Sequence, residues 1–363
     1  DARLAAGRLA PALVALEEAI AICREEGLRR ALGTSLSSLG NARLFAGEAR
    51  AARGYYEEAL GIARDEGSRE GELVNLHNLG LALHALGDVD DALDRYQEAL
   101  SLARQAGDRR KAAAIEANVA QALFDQGALD EAQRHQEAAL ELARAADDRG
   151  TQAVALVRLA GLARERGALS EAHAMAAQAD ELFEALDDPR RGVAWVEQAR
   201  LRLELADAAG ARGLLARALD LARALGDPRG ELAALRELGR AERVAGRFDE
   251  AHARLGDALE LALGLEDPDL LALTRIELTE ACVLCERLPE ARAHLDHAAR
   301  RAAEREGSLV EAHHALGRAA VARAAGEVTE ARAILEHLTR AARELGFLAL
   351  QREATRRLAA LSR

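Results

Sequence analysis

Cys282 and Cys285 form a C-x-x-C, the spacing used by a redox pair or by half of a zinc site. A structural zinc needs four ligands, and the sequence offers neither a second C-x-x-C nor an H-x-x-x-H nearby. A thioredoxin-like pair belongs in a βαβ setting, which is absent, so both thiols are expected to be structural, with no metal and no cofactor. His77 and His84 stand seven apart and project from one face of a helix, where hydrogen bonding to a partner suits them better than a two-ligand metal site. His294 with His297, and His313 with His314, are weaker pairs of the same kind. Arg236, Arg240 and Arg243, at spacings of four and three, share a helical face and suit an anionic partner. The competing expectation is internal pairing with Glu237, Glu197 or Glu277. No phosphate loop, H-E-x-x-H or G-x-S-x-G occurs, and the carboxylates are spread as on a solvated surface, so no catalysis is expected.

These groups need elements to hold them, and composition selects helices. Half of the 363 residues are apolar but only 2% are aromatic; Ala, Leu, Arg and Glu dominate. With 49 basic and 61 acidic residues the net charge is −12, which lacks the footprint of a nucleic-acid binder. Lys111 is the only lysine, a bias expected of a GC-rich, bacterial coding sequence. No stretch reaches the 18 or more apolar residues of a membrane span and no signal-peptide pattern opens the chain. Three cysteines do not suggest a disulfide framework, so a cytoplasmic setting without membrane contact is expected.

Internal repetition organises the helices. The segments ending at Gly67, Gly107 and Asp147 align without gaps at a period of 40. That phase places turns at Gly7, Gly47, Gly87, Gly127, Gly167, Ala206, Gly246, Glu286 and Gly326. Five residues after each turn stands an alanine, Ala12 through Ala331, and seven further on another, from Ala19 to Ala298, with Leu338 last. Seven before the turn is a small residue such as Gly40, Gly80, Ala120 or Gly239. Residues seven apart share a helical face, so each unit is a hairpin whose second helix lays an Ala stripe on a small residue of the first. Tyr56, Tyr96, Leu215, Leu255 and Leu295 fill the space towards the next hairpin, and Ser68, Asp108, Asp187-Asp188-Pro189, Asp227 and Asp267 end the second helix and cap the following first helix.

This pattern resembles the tetratricopeptide family, carried most fully by Asn78-Leu79-Gly80, Gly87, Ala92, Tyr96 and Ala99. The 40-residue unit is similar to kinesin light chains, spindle-orientation scaffolds and the sensor regions of bacterial maltose-regulator-type proteins. The resemblance spans essentially the whole chain and implies an all-α, right-handed superhelical solenoid of about nine stacked repeats, the first incomplete. Residues 1–345 would form the solenoid and 346–363 a C-terminal capping helix. Departures at Gln198, Arg318, Ala206 and Glu286 imply less regular packing in repeats six, eight and nine. A start in mid-helix and no initiator Met suggest a piece of a longer polypeptide.

The resemblance also implies a concave groove lined by the first helix of each repeat. In the early repeats that face carries Asn41, His77, Asn78, His84, Asn118 and Gln121, amides and imidazoles able to bond a peptide backbone. In the middle repeats it turns to charge: Arg158, Arg164, Glu197, Arg200, Arg236, Glu237, Arg240 and Arg243. The expected partner is a protein or peptide segment, acidic where it meets the arginines, or another domain of the same polypeptide. The alternative is a regulatory sensor region gated by a small ligand or by its own effector domain.

Overall fold

The computed structural model describes residues 2–305 and 307–361, with eighteen helices and no strand among them. A long helix α1 (Ala2–Glu25) leads into eight antiparallel hairpins. These are α2 (Arg29–Phe45) with α3 (Ala49–Asp65), α4 (Arg69–Leu86) with α5 (Val89–Ala106), α6 (Arg109–Asp125) with α7 (Leu129–Ala145), and α8 (Arg149–Glu165) with α9 (Leu169–Ala185). Then follow α10 (Arg191–Glu204) with α11 (Ala208–Leu225), α12 (Pro228–Val244) with α13 (Phe248–Gly264), α14 (Pro268–Leu284) with α15 (Leu288–Glu304), and α16 (Leu309–Ala324) with α17 (Val328–Glu344). α18 (Leu348–Ala360) packs against α17. Even-numbered helices α2–α16 pack against their counterparts in the next repeat more closely than the odd ones do against theirs, so the even helices form the inner layer.

The expected turn at Gly7 is not there: α1 runs through it for 24 residues, with Pro11 inside. A glycine within a helix costs only about 1 kcal/mol relative to Ala. It permits a reversal, but antiparallel packing selects one, and the few residues before Gly7 offer less than two turns to pack. All eight later turns hold a left-handed residue at the expected position, Gly47 through Gly326. Ala206 and Glu286, the non-glycines among them, do so at φ 60° for both. Repeat six has the shortest first helix of the hairpins, α10 with 14 residues. Four of the five expected caps form: Ser68, Asp108, Asp227 and Asp267 accept from the backbone N–H of Gly71, Lys111, Gly230 and Leu270, whereas before α10 Asp188 accepts from the Arg190 N–H, and the N-cap, Arg190, has no side-chain bond. Each such cap contributes about 1 kcal/mol.

Packing inside a hairpin follows the Ala stripe. Ala92 and Ala99 are fully buried, as are the Tyr56 and Tyr96 rings. The rings lie where a side chain on the facing helix would go: a Cβ added at Gly40 would sit 2.6 Å from Tyr56 Cε1, and one at Gly80 2.5 Å from Tyr96 Cε1. Along the second helices this filler position reads Tyr56, Tyr96, Gln136, Ala176, Leu215, Leu255, Leu295, Leu335.

The solenoid winds tightly enough for its second turn to rest on its first. Glu266 N–H donates to Gly47 O at 3.1 Å, and Arg301 Nη2 donates to Gly87 O at 3.3 Å. These partners are 219 and 214 residues apart in sequence, a little over five repeats per superhelical turn. The same seam explains which turns are glycine. A Cβ at Gly127 would lie 2.6 Å from Gly307 O, and one at Gly47 would collide with the Leu265 side chain. Gly246 and Gly326 meet nothing within 4 Å, and it is on this open later stretch that Ala206 and Glu286 stand in for glycine.

Candidate functional site

The inner layer brings the early polar residues into one ladder. Asn78 Nδ2 donates to Asn41 Oδ1 at 3.1 Å, an oxygen that also accepts the Tyr56 hydroxyl at 2.7 Å. Asn118 Nδ2 and His77 Nε2 are 2.7 Å apart, and His84 Nε2 lies 2.8 Å from Asp125 Oδ2. Gln121 donates to the other Asp125 oxygen at 2.9 Å and accepts from Arg158 Nη1 at 2.9 Å. The chain of contacts therefore crosses α2, α4, α6 and α8 with residues spaced close to one repeat. Burial keeps the His77 imidazole neutral, with its pKa pushed down to about 4. An unprotonated Nε2 can accept the Asn118 amide.

From α8 onward the ladder becomes ionic. Arg164 pairs with Glu165 and Glu197 at 2.7 and 2.9 Å, and Arg200 pairs with Glu197 and Glu237 at 3.2 and 2.7 Å. Burial alone would raise the Glu237 carboxyl, but Arg200 and Arg240 override it and hold the group at about 2. The three arginines proposed from sequence for an anionic partner are all engaged. Arg236 grips Glu277 with two bonds of 2.9 and 2.7 Å, Arg240 meets Glu204 at 2.9 Å, and Arg243 pairs with Glu280. Glu280 also binds Arg357 of α18 at 2.9 Å, tying the last helix to α14. Against the burial that opposes it, Arg357 and Arg243 keep Glu280 well below the usual carboxylate range.

Where the two ladders meet, the interior opens into a cavity of about 580 Å³. Phe45, Phe124, Val193, Val196, Leu221 and Leu225 give it apolar walls; Gln121, Gln136, Arg158, Arg164, Glu197 and Arg200 give it polar ones. Phe45 and Val193 are among the most exposed large apolar side chains of the molecule, at 46% and 57%. Of the nine site residues expected from sequence, Gln121 borders this cavity, and Asn41, His77, Asn78, His84 and Asn118 continue the ladder away from it. Arg236, Arg240 and Arg243 stand apart in α12. Sequence reasoning missed Asp125, the hub between His84 and Gln121, and Gln136, although its departure from the Tyr/Leu filler row was readable in the repeat alignment.

The C-x-x-C gains neighbours from other helices. His252 of α13 and Glu290 of α15 place ligand-type atoms, with the Cys282 thiol, all within 4.8 Å of one another. His252 Nε2 is 3.1 Å from Glu290, and the Arg287 guanidinium stands 3.5 Å from the same nitrogen, where it would repel a bound cation. Burial pushes the Cys282 thiol up to about 12, so it is a neutral, inert group.

Known proteins resemble this architecture. The model of the MalT-like TPR region family matches residues 42–225. No curated protein sequence matches the chain. The crystal structure of a Rap protein complexed with competence and sporulation factor superposes with a TM-score of 0.60 at 17% identity, covering 92% of this chain and 98% of that one. The Rap conjugation gene regulator of plasmid pLS20, in complex with a Phr peptide, superposes with a TM-score of 0.61 at 16% identity, covering 75% and 76%. At these identities the likeness concerns the fold.

Proposed function

This chain belongs to the family of MalT-like TPR regions, and on that premise we propose that it is a repeat module binding a peptide or protein segment in its interior channel. The observation that carries the reading is the cavity: apolar walls left exposed, next to hydrogen-bonding side chains fixed by their neighbours. Covering apolar area is worth about 25 cal/mol per Å², so Phe45 and Val193 reward a ligand that buries them. That the pLS20 Rap regulator, which shares this fold, was solved with a Phr peptide bound supports the same class of ligand.

In this reading Asn41, His77, Asn78, His84, Asn118 and Gln121 flank the bound segment. Arg236, Arg240 and Arg243 hold the inner layer together, because their charges already have carboxylate partners. The module works as a scaffold rather than an enzyme and sits in a bacterial cytoplasm; no helix among the described residues is long and apolar enough to cross a membrane. The test compares two charge insertions, Val193→Glu in the cavity wall and Leu263→Glu on the exposed face of α13. Retention of pooled random hexapeptides should be lost with the first and kept with the second; equal retention would refute the location.

A second reading, a regulatory sensor region of a larger protein, is favoured by the contacts between superhelical turns. A ligand filling the channel also acts on the seam at Gly47–Glu266 and Gly87–Arg301, so binding would change the pitch. A nucleotide-binding, kinase or DNA-binding domain encoded upstream of residue 1 would support this reading, and a bare run of further repeats the scaffold.

A further inference from the structure

The cavity has a more specific chemistry than an apolar hole. Its four arginines are unequal. Arg164 and Arg200 are neutralised by Glu165, Glu197 and Glu237, and Arg190 by Asp188. Arg158 makes no ion pair among the described residues. Its Nη1 donates to two neutral oxygens, Ala117 O at 3.2 Å and Gln121 Oε1 at 2.9 Å. Asp125, whose field reaches it, spends its two oxygens on Gln121 and His84. A half-buried guanidinium without a counter-charge is free to take one, and a carboxylate brought by a ligand would supply it.

Gln136 is the second, independent observation. Its side chain is fully buried at the cavity wall, and neither its amide nitrogen nor its oxygen finds a hydrogen-bond partner in the protein. The register makes this side chain an exception. Other repeats put Tyr56, Tyr96 or Leu215 at the same filler position, none of which carries an amide. A buried amide has one donating and one accepting end, and the group that satisfies both is another amide.

We propose that this cavity is a carboxylate-and-amide subsite: Arg158 takes a ligand carboxylate, Gln136 the adjoining amide, and Phe124, Val193 and Val196 an apolar side chain. The ligand class is the carboxyl-terminal residue of a short apolar peptide, a choice that rests on the peptide-binding reading above. A dianionic phosphate fits less well, since only one guanidinium lacks a carboxylate. An Asp or Glu side chain of a peptide offers the same chemistry, and the experiment separates the two sources.

Two pools of N-acetylated random hexapeptides, one with a free carboxyl terminus and one amidated, are passed over the immobilised whole chain, and retained peptides are sequenced by mass spectrometry. The free-carboxyl pool should be retained about tenfold better, the scale of one charge-assisted bond. Arg158→Gln, which keeps a donor for Ala117 O, should bring that ratio to about one, and Arg158→Lys should keep part of it. Retention of amidated peptides enriched in Asp or Glu, lost in Arg158→Gln, would assign the same subsite to a side-chain carboxylate. Equal retention of both pools without acidic enrichment, unchanged in Arg158→Gln, would overturn the subsite and leave peptide binding standing. Retention of neither pool would overturn both.

Discussion

The earlier and the middle-to-late hairpins solve the same problem with different chemistry. Both must satisfy polar side chains on the inner faces of helices that touch from repeat to repeat. From α2 to α6 the solution is mostly uncharged, Asn41 with Asn78 and His77 with Asn118. From α8 to α14 it is ionic, Arg164–Glu197–Arg200–Glu237 and Arg236–Glu277. The filler row changes too, from Tyr56 and Tyr96 to Leu215, Leu255, Leu295 and Leu335. Where the two ladders meet, a seam distinct from that between superhelical turns, neither solution is complete. Arg158 is a cation among amides, and Gln136 and Ala176 interrupt the row of large fillers. The cavity lies there because both patterns fail at one place, and that makes the seam, rather than either regular stretch, the place to expect a ligand.

If the ionic half is held by buried pairs, breaking one should cost most. Glu197→Ala leaves Arg164 and Arg200 short of a carboxylate in a site where Glu197 is 3% exposed, and should lose about 3–5 kcal/mol of stability. Denaturant unfolding measures it; a loss below about 1 kcal/mol would show the ribbon to be a solvated surface network. The packing common to both halves comes next. Ala92→Leu should overpack the fully buried contact of α4 with α5 and cost about 1–3 kcal/mol. A melting temperature unchanged by it would mean the Ala stripe does not bear the contact.

The uncharged half has its own signature in acid. His77 is held at about 4 by burial, below the usual 6.5 for histidine, so the folded state binds fewer protons than the unfolded one between these values. Stability from this group is complete above about pH 6.5 and should decline as pH falls towards 4, by roughly 2–3 kcal/mol. His294 and His314 are also held down by burial and act in the same sense. The decisive quantity is therefore the difference between wild type and His77→Gln across that window. An identical slope in both would place the titration elsewhere.

Most of the hairpin architecture was legible because it rests on local rules. Gly, Ala and cap residues recur at fixed phase, and the turn from Gly47 onward falls where they place it. Glu277 was foreseeable as a partner of Arg236 for the same reason, lying one repeat away on the same face. Glu204 for Arg240 and Glu280 for Arg243 depend on side-chain reach between helices, which spacing alone does not give. The seam between superhelical turns was illegible: it joins Gly127 to Gly307, and pitch accumulates over five repeats from small rotations that no single residue encodes. It yields the smallest predicted difference. Gly127→Ala should cost more than Gly246→Ala, since both pay about 1 kcal/mol for a left-handed Cβ but only the first meets a backbone oxygen at 2.6 Å. Equal costs would mean the turns do not press on each other.

The central claim is that the imperfect seam exists for a ligand, and one substitution tests it. Gln136→Leu puts an apolar filler at this position and removes the orphan amide, so the melting temperature should rise, by the equivalent of about 1–3 kcal/mol. In the same variant, retention of free-carboxyl hexapeptides should fall several-fold, because the amide that helps hold them is gone. A stabilised variant that still retains those peptides at the wild-type level would contradict the account.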